Sequence, residues 1–410
     1  MTTCVRLGDL IEDARPGFAS GDRDASGVLQ LRMGAATSTG TVNWTKAVRV
    51  PAPPDVSRYW LGHGDVVFNN TNSQELVGRA SLVGEAPEPA TFSNHITRLR
   101  CGDRLDPGFL VFWLNSRWIT GFFFAFAHRW VGQSAIQVAR LLDLEIPLPP
   151  LNEQRRIAAR LHDQLATTDA VRLGVESRLE TLARVREEVL ASTFARIEAP
   201  IIALGAAVSA PGAIADGPFG SHLKTEHYTP SGVRVIRLQN IGSGAFLDHD
   251  RAFVTAEHAD SLTRHSARQG DVVVAALGDG ARPAGRACRV PDIGPALVKA
   301  DCFRVRTDDS SVDPEFLVWF LNSPRAQATI ADQMRGATRP RVTLAMLRNM
   351  TIPLPPIAEQ RRIAARLNEQ LAETDRAKAA LEAQRTAIHA LPAALLREVF
   401  GSSHPVVEVA

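Results

Sequence analysis

The residues best suited to chemistry in this chain are amide and guanidinium side chains in loops and at loop edges. Such side chains can contact phosphates and the edges of nucleic-acid bases, because they form paired hydrogen bonds or carry positive charge. For any single one of them, ordinary solvation of a surface loop is the simpler explanation. The set comprises Asn69, Asn70, Asn72, Gln74, Arg79, Gln137, Arg282, Arg286, Arg339 and Arg341.

Motifs that would support catalysis are missing from the sequence. We find no GxxxxGK(S/T) phosphate loop, no HExxH pair, no Gly-x-Ser-x-Gly elbow, and no Asn/Asp-Pro-Pro-aromatic motif of an amino-methyltransferase. The histidines form no ligand pair at helical spacing, and the cysteines have no metal-type spacing. The sequence therefore offers no motif for catalysis, for a cofactor or for a metal site.

The element that positions these residues is an internal repeat. Residues 146–165 return 206 residues later as residues 352–371, with 16 of 20 positions identical. Short Gly-Asp-Val-Val and Gly-Arg-Ala anchors recur upstream in both copies, whereas the loops 69–75 and 275–281 between them share only their position. A repeat that keeps its frame and varies its loops predicts one scaffold that presents two different surfaces.

Composition indicates an ordinary folded protein. The 410 residues suffice for two or three domains, and a content of 45% hydrophobic and 22% charged residues excludes a disordered chain. No uninterrupted apolar run reaches the roughly 18 residues of a membrane span, and the N-terminus has no export pattern. We therefore expect a cytoplasmic protein without membrane contact, whose cysteines suit a reducing compartment.

Each copy of the repeat divides into a strand-rich front and a helical back. Short β-branched runs between Gly, Pro, Asn and Asp clusters predict short strands with long loops. One or two helices follow them, so each copy is predicted to be an α/β or α+β domain followed by a long helix. The predicted segments are a first domain over 1–150, a first helix over 151–197, a second domain over 198–356, a second helix over 357–401 and a tail over 402–410.

The two long helices follow the IPLPP segments, whose prolines fix an extended arm. Apolar residues recur every three or four positions from Ile157 to Val189, which predicts a coiled-coil seam. A helix of this length extends about 65 Å and needs a partner. We expect it to pack antiparallel against the second helix, with a pseudo-twofold relation between the copies. Pro392 predicts a kink or an end in that second helix.

Twofold symmetry within one chain suits a target of approximate twofold symmetry, and duplex DNA is the common example. The charge balance supports this weakly, because a net charge of +2 does not indicate a concentrated basic patch.

The doubled PLPPxxEQRRIAxRL block, which follows a helix ending in Leu-Asn-Ser at 114–116 and 321–323, closely resembles the specificity subunit of type I restriction-modification systems. The resemblance covers nearly the whole chain. It implies two tandem target-recognition domains, each followed by a conserved helix, with the two helices packed as an antiparallel spacer.

Two stretches of the second copy, DGPFGSHLK at 216–224 and VIRLQNI at 235–241, also look like the opening of a recognition domain in that family. The first copy departs from this pattern, because its residues 17–21 (GFASG) resemble the pattern only weakly. By this resemblance, DNA contacts are expected from Phe219, Ser221, His222, Lys224 and Asn240.

The resemblance further implies a non-catalytic subunit that selects double-stranded DNA for two methyltransferase subunits and, in the full complex, for restriction translocase subunits. S-adenosylmethionine would be bound by the methyltransferase subunits. Each domain would read one half-site on either side of an unread spacer. Because the loops of the two copies differ, the half-sites should differ and the target should be asymmetric.

The repeated EQRR set predicts two equivalent surfaces at which two copies of a methyltransferase subunit could dock. A local explanation remains open, since Glu and Gln in a first helical turn complement the helix dipole and the free amides. Duplication without selection on these residues would produce the same repeat. The residues concerned are Glu153, Gln154, Arg155, Arg156, Glu359, Gln360, Arg361 and Arg362.

Two other classes of function remain open at this stage. An enzyme that cuts or methylates DNA itself would show cofactor-dependent activity as a purified chain, but it would need a motif that the sequence lacks. A coiled-coil scaffold could instead join two protein partners without DNA readout. Its complex with a methyltransferase would protect no DNA sequence.

Overall fold

The chain forms two units, which we describe separately. The computed structural model describes residues 3–37, 39–130, 133–280, 282–308, 310–334 and 340–401. Unit 1 comprises Met1–Ser177 and Leu381–Ala410, and unit 2 comprises Arg178–Ala380. Each unit therefore contains one copy of the repeat and a piece of each long helix.

Unit 1 is built from short strands, three short helices and the long helix that leads out of it. Its strands are β1 (Cys4–Arg6), β2 (Ile11–Pro16), β3 (Val28–Leu31), β4 (Val48–Val50), β5 (Val66–Asn69), β6 (Thr71–Asn72), β7 (Ala80–Leu82), β8 (Ala90–Phe92), β9 (Ile96–Cys101), β10 (His128–Trp130), β11 (Gln133–Ala135) and β12 (Glu145–Pro147). Its helices are α1 (Pro107–Ile119), α2 (Phe122–Phe126), α3 (Val138–Leu142) and the start of α4 (Leu151–Ala195).

Unit 2 repeats this plan. Its strands are β13 (Ile201–Ala203), β14 (Ile214–Asp216), β15 (Tyr228–Thr229), β16 (Val233–Ile236), β17 (Phe253–Val254), β18 (Ser266–Ala267), β19 (Val272–Ala275), β20 (Ala287–Arg289), β21 (Ala296–Val298), β22 (Cys302–Val305) and β23 (Thr351–Pro353). Its helices are α5 (Leu204–Ala207), α6 (Ala256–Asp260), α7 (Pro314–Leu321), α8 (Pro324–Met334), α9 (Leu344–Asn349) and the start of α10 (Ile357–Phe400).

The main sheet of each unit has the same strand order. In unit 1 the order is β2-β9-β5-β7, and in unit 2 it is β14-β22-β19-β20. The register is equivalent too, since Val66 faces Leu99 and Val272 faces Val305. A second sheet in each unit contains one parallel pair, β3 with β8 and β16 with β21. The predicted α/β fold in two tandem copies is confirmed.

The IPLPP segments are extended arms, as predicted. Each supplies one strand of a two-stranded antiparallel sheet, β12 with β1 and β23 with β13. The prolines after the strand cannot donate backbone hydrogen bonds, so strand pairing stops and the long helix begins.

The long helices contribute their apolar seams to the core of each unit. In unit 1, Leu161 and Leu165 from α4 are buried in one cluster with Leu396 from α10. In unit 2, Leu190 of α4 and Leu367 of α10 are buried together in a second hydrophobic cluster. Within unit 1 the pairing runs antiparallel, because Arg160 forms an ion pair with Glu398, whereas the later residue Thr168 lines one groove with the earlier Leu391. Within unit 2, Arg186 forms an ion pair with Asp375, whereas the later Arg196 lines one groove with the earlier Glu359. The predicted antiparallel seam is present within both units.

Of the two outcomes predicted for Pro392, an end of the second helix is wrong, and a kink stays a prediction. Helix α10 contains Pro392 and continues to Phe400. A proline in a helix removes one backbone hydrogen bond and destabilises it. The packing of Leu396, which is fully buried, and of Phe400 against the ring of Phe109 at 5.4 Å between centroids keeps the last turns helical.

The short helices α1 and α7 begin at equivalent aspartates. The carboxylates of Asp106 and Asp313 each accept a hydrogen bond from a backbone amide three residues later, at 2.9 Å. A proline follows the aspartate in both cases, at the first position of the helix, where proline is favoured.

Among the described residues, no helix is both long and apolar enough to cross a membrane.

Candidate nucleic-acid interface

Three asparagines near the end of β5 face the interior of unit 1. Asn69 donates a hydrogen bond to the carbonyl oxygen of Met33, and Asn70 donates one to Oγ1 of Thr97, both at 2.9 Å. Asn72 accepts one from the next backbone amide at 2.8 Å. All three are buried. The structure corrects the predicted DNA contact of these residues, because their side chains support the loop from within.

Two polar residues of unit 2 are likewise internal. Arg286 is fully buried and donates to the carbonyl oxygen of Ile241 at 2.7 Å and to three other carbonyl oxygens. Asn240 is also fully buried and donates to the carbonyl oxygens of Leu247 and Asp250. Both were predicted to contact DNA. The structure corrects this, because the donor groups of both side chains are engaged inside unit 2, by backbone carbonyl oxygens and, for Arg286, also by a carboxylate oxygen of Asp279 at 3.4 Å.

The remaining predicted residues of unit 1 lie nearer the surface. Arg79 is partly buried, and its guanidinium carbon lies 4.2 Å from the ring centroid of Trp118. The Trp118 indole nitrogen in turn donates to the carbonyl oxygen of Glu75 at 2.8 Å, which ties the loop to the end of α1. Burial lowers the pKa of Arg79. Gln74 is partly exposed and Gln137 is exposed.

An aromatic residue and an arginine meet on the surface of unit 2. Phe219 is 46% exposed, and the guanidinium carbon of Arg341 lies 5.8 Å from its ring centroid. Arg341 also donates to a carboxylate oxygen of Asp301 at 2.8 Å. An exposed ring beside a cation has the chemistry for base stacking and phosphate contact.

Exposed basic residues extend this surface along the chain. His222 and Lys224 are exposed, while the guanidinium of Arg282 is partly exposed and donates to Asp279 at 2.9 Å. No motif in the sequence pointed to His227 and His258, whose rings lie 4.2 Å apart between centroids. Two predicted contacts, Arg339 and the Ser221 side chain, lie outside the described part of the structure.

The variable loops of each unit meet a segment that comes later in the chain. In unit 1, the backbone amide of Ile136 donates to the carbonyl oxygen of Asn70 at 2.8 Å. In unit 2, Val342 donates to Ala276 in the same way and at the same distance. These positions are separated by 206 residues, like the repeat itself. The same backbone frame therefore displays different side chains in the two units.

Two glutamines of the repeated EQRR set have a structural role. Gln154 is fully buried, accepts a hydrogen bond from the backbone amide of Asp106 at 2.8 Å, and donates to the carbonyl oxygens of Arg104 and Pro149. Gln360 makes the three equivalent hydrogen bonds in unit 2, between 2.8 and 3.0 Å. The predicted docking role of these two residues is corrected, because their side chains join the start of each long helix to the domain before it.

Replacing Gln154 with leucine should lower the free energy of unfolding of unit 1 by about 3 kcal/mol, because one backbone amide and two carbonyl groups lose their buried partner. Urea unfolding of the full chain, followed by hydrogen exchange in 104–106, measures the effect. The control is Asn152→Leu, at an exposed position of the same helical turn. Unchanged stability together with loss of partner binding would restore the docking role.

The other members of the set are on the surface. Glu153 accepts two hydrogen bonds from Arg156, at 2.8 and 2.6 Å, and Glu359 accepts two from Arg362 at the same distances. These hydrogen bonds hold the pKa of both carboxyl groups below the ordinary value. The neighbouring Arg155 and Arg361 are exposed. Each unit therefore presents the same charged surface at the start of a long helix.

The cysteines do not form a reactive cluster. Burial raises the pKa of the Cys101 and Cys288 thiols to about 12, and Cys302 is fully buried. Within the described residues, no three His, Cys, Asp or Glu side chains could together hold a metal ion.

Comparison with known proteins identifies the family. The sequence matches the family model described as "Type I restriction modification DNA specificity domain" over residues 54–181 and 290–384, which together make up more than half of the chain. The chain belongs to this specificity family. The match confirms the resemblance seen in the repeated block, and it assigns the chain to DNA target recognition.

Curated relatives of this specificity subunit carry names that agree. The putative type I restriction enzyme MjaX specificity subunit of Methanocaldococcus jannaschii is 26% identical over 388 residues, which cover 88% of this chain and 84% of that protein. The EcoBI specificity subunit of Escherichia coli is 26% identical over 257 residues, 57% of this chain and 53% of that protein. These names support the prediction that the chain is a specificity subunit rather than an enzyme.

Solved structures share the fold of this specificity subunit. One solved structure is described as the structural basis of complex assembly and conformational transition of the type I R-M system. It has a TM-score of 0.73 and 21% sequence identity to this chain, and the match covers 98% of this chain and 97% of that chain. The HsdS subunit of Thermoanaerobacter tengcongensis has a TM-score of 0.55 and 22% identity, with 98% and 96% covered.

Proposed function

We propose that this specificity subunit reads a bipartite, asymmetric target in double-stranded DNA, with one half-site for each unit and an unread spacer between them. The observation that carries the proposal is that the two units share one backbone framework but present different side chains in their variable loops. Equivalent main-chain hydrogen bonds hold both sets of loops, but the side chains differ. Because direct readout depends on the side chains that reach base edges, the two half-sites should differ in sequence.

The residues that support DNA contact are those that remain accessible. In unit 1 they are Gln74, Arg79 and Gln137, and in unit 2 they are Phe219, His222, Lys224, Arg282 and Arg341. Arginine and lysine would contact phosphates or guanine, glutamine would contact adenine, and the Phe219 ring would pack against a base or sugar.

The proposal includes two copies of a methyltransferase subunit as partners. The exposed charged residues at each helix start, Glu153, Arg155 and Arg156 in unit 1 with Glu359, Arg361 and Arg362 in unit 2, would bind one copy each. S-adenosylmethionine would be held by these partners. In a full complex, restriction translocase subunits would join the assembly.

Arg341→Ala should reduce methylation of the cognate target at least tenfold and relax discrimination at the half-site read by unit 2, since one arginine contact with a base is worth about 1 to 3 kcal/mol. The fold should persist, because the ion pair with Asp301 is partly exposed and exposed pairs contribute little. The measurement is methylation of DNA duplexes that vary one half-site at a time.

The control for this variant is Arg376→Ala, which removes the same charge from an exposed position on α10. It should retain full discrimination. Equal loss in both variants would show that Arg341 acts only through overall charge. Absence of any DNA discrimination by the native complex would favour the scaffold alternative.

A further inference from the structure

A cleft of about 690 Å³ opens in unit 1 between the loop 40–44, helix α1 and the first part of α4. Val111 and Phe112 of α1, both buried, and the partly buried Trp44 supply apolar lining. Arg155 and His162 of α4, both exposed, stand at its polar rim. This volume is within the range of roughly 300 to 1,000 Å³ that is usual for ligand sites.

Unit 2 shows what the same scaffold can hold at this position. Trp319 occupies the place of Phe112 in the repeat, and its indole nitrogen donates to Oδ1 of Asn368 at 2.7 Å. The indole packs so closely on Gly244 that an added Cβ there would lie 2.4 Å from the ring. The guanidinium carbon of Arg186 lies 5.5 Å from the ring centroid. The indole of Trp319 therefore fills the space between α7 and α10 in unit 2.

In unit 1 the corresponding residues leave that space open. The positions of Trp319, Asn368 and Arg186 are taken by Phe112, His162 and Pro392. The turn is otherwise alike, since Gly40 has a positive φ of 81° and lies against α1, as Gly244 with a φ of 96° lies against α7. The smaller phenyl ring has no N–H to reach the long helix, so a recess remains where unit 2 holds an indole.

We propose that this cleft binds a tryptophan side chain of the methyltransferase subunit, an inference that rests on the partner assignment above. The equivalent space in unit 2 holds the indole of Trp319, which favours an indole as the occupant of the recess in unit 1. His162 offers a ring nitrogen to the indole N–H, as Asn368 does for Trp319. Arg155 belongs both to the cleft rim and to the charged docking surface, so the partner's aromatic residue would lie next to its polar contacts. Buried aromatic anchors with a charged rim are typical of protein interfaces.

The proposal makes the two docking sites unequal. Both units present the same charged residues at the helix start, but the equivalent position in unit 2 is occupied by Trp319. The copy of the methyltransferase subunit bound at unit 1 would therefore gain an anchor that the other copy lacks.

The cleft can be probed without any partner, using N-acetyl-L-tryptophanamide and saturation-transfer NMR on the full chain. Ala159→Leu blocks the cleft from an exposed helical position, and Ala365→Leu is the matched change in unit 2. We expect saturable binding to the native chain, at least tenfold weaker binding to Ala159→Leu and no change for Ala365→Leu. Binding that is absent, or insensitive to Ala159→Leu, would overturn the proposal.

A second variant, Phe112→Trp with His162→Asn, copies the filled arrangement of unit 2 and should also prevent probe binding. Titration with the methyltransferase subunit that co-purifies with the chain from its native host then tests the partner. Each blocking variant should weaken one of the two bound copies at least tenfold and leave the other unchanged. Probe binding combined with unchanged affinity for both copies would overturn the partner assignment, as would failure of the native chain to bind the methyltransferase, which would also refute the proposed function.

Discussion

Replacing Arg286 with methionine is expected to lower the free energy of unfolding of unit 2 by about 3 to 5 kcal/mol, because several buried carbonyl groups lose their donor at about 1 to 3 kcal/mol each. Methionine has a similar length but no donors. The carbonyl groups of Ile241, Leu277, Pro283 and Leu238 would remain buried without the guanidinium that they now share. An unpaired buried carbonyl costs more than a lost surface contact.

Urea unfolding of the full chain with hydrogen exchange in each unit measures this effect. The matched control is Arg79→Met, the equivalent position in unit 1, where the side chain is partly exposed and stacks on Trp118. Its effect on stability should be about 1 kcal/mol. If Arg286→Met instead left unit 2 stable and removed only DNA affinity, the internal role assigned to Arg286 would be wrong.

Under the bipartite recognition proposed above, lengthening both long helices by one heptad is expected to change the spacer of the DNA target without changing either half-site. Seven residues add about 10.5 Å to a helix, which corresponds to about three base pairs of duplex DNA. A heptad also preserves the apolar seam with little rotation. The insertions belong between Ser177 and Arg178 and between Ala380 and Leu381, at the boundaries of the two units.

Methylation at the native spacing should fall at least a hundredfold, because the half-sites would no longer match the two units in distance or in rotation around the DNA. Motif sequencing would reveal the new spacing. In the control, seven existing helical residues on each side are replaced by other helix-forming residues without a change in length, and native methylation should persist. An unchanged spacer in the lengthened protein would show that the helices do not set the distance.

The architecture could be predicted from the sequence because each local pattern occurs twice, once in each copy of the repeat. The short strands, the helices that follow them and the extended IPLPP arms are local features, set by β-branched residues, apolar spacing and proline. Tertiary packing overrode the local rule at Pro392. The burial of Leu396 beyond it keeps α10 helical, and no local pattern reports that contact.

The site was less predictable, because side-chain direction depends on contacts with distant residues. The side chains of Asn69 and Arg286 have hydrogen-bond donors that could contact DNA. In the structure, these donors form hydrogen bonds with backbone carbonyl oxygens from other loops. Gln154 and Gln360 were recognised as important through repetition, which cannot separate a structural role from a docking role. The contrast between Phe112 and Trp319 was visible in the aligned copies, but its meaning required the neighbouring Asn368 and Gly244.

The most direct test of DNA recognition by this specificity subunit is sequencing of modified bases in a methylation-free bacterial host that expresses the chain with the methyltransferase subunit that co-purifies with it from its native host. The methyltransferase expressed alone is the control. The predicted result is a new methylated motif, divided into two different half-sites at a constant spacing and absent from the control. An unchanged methylome, with both proteins soluble and bound to each other, would contradict DNA target selection by this chain.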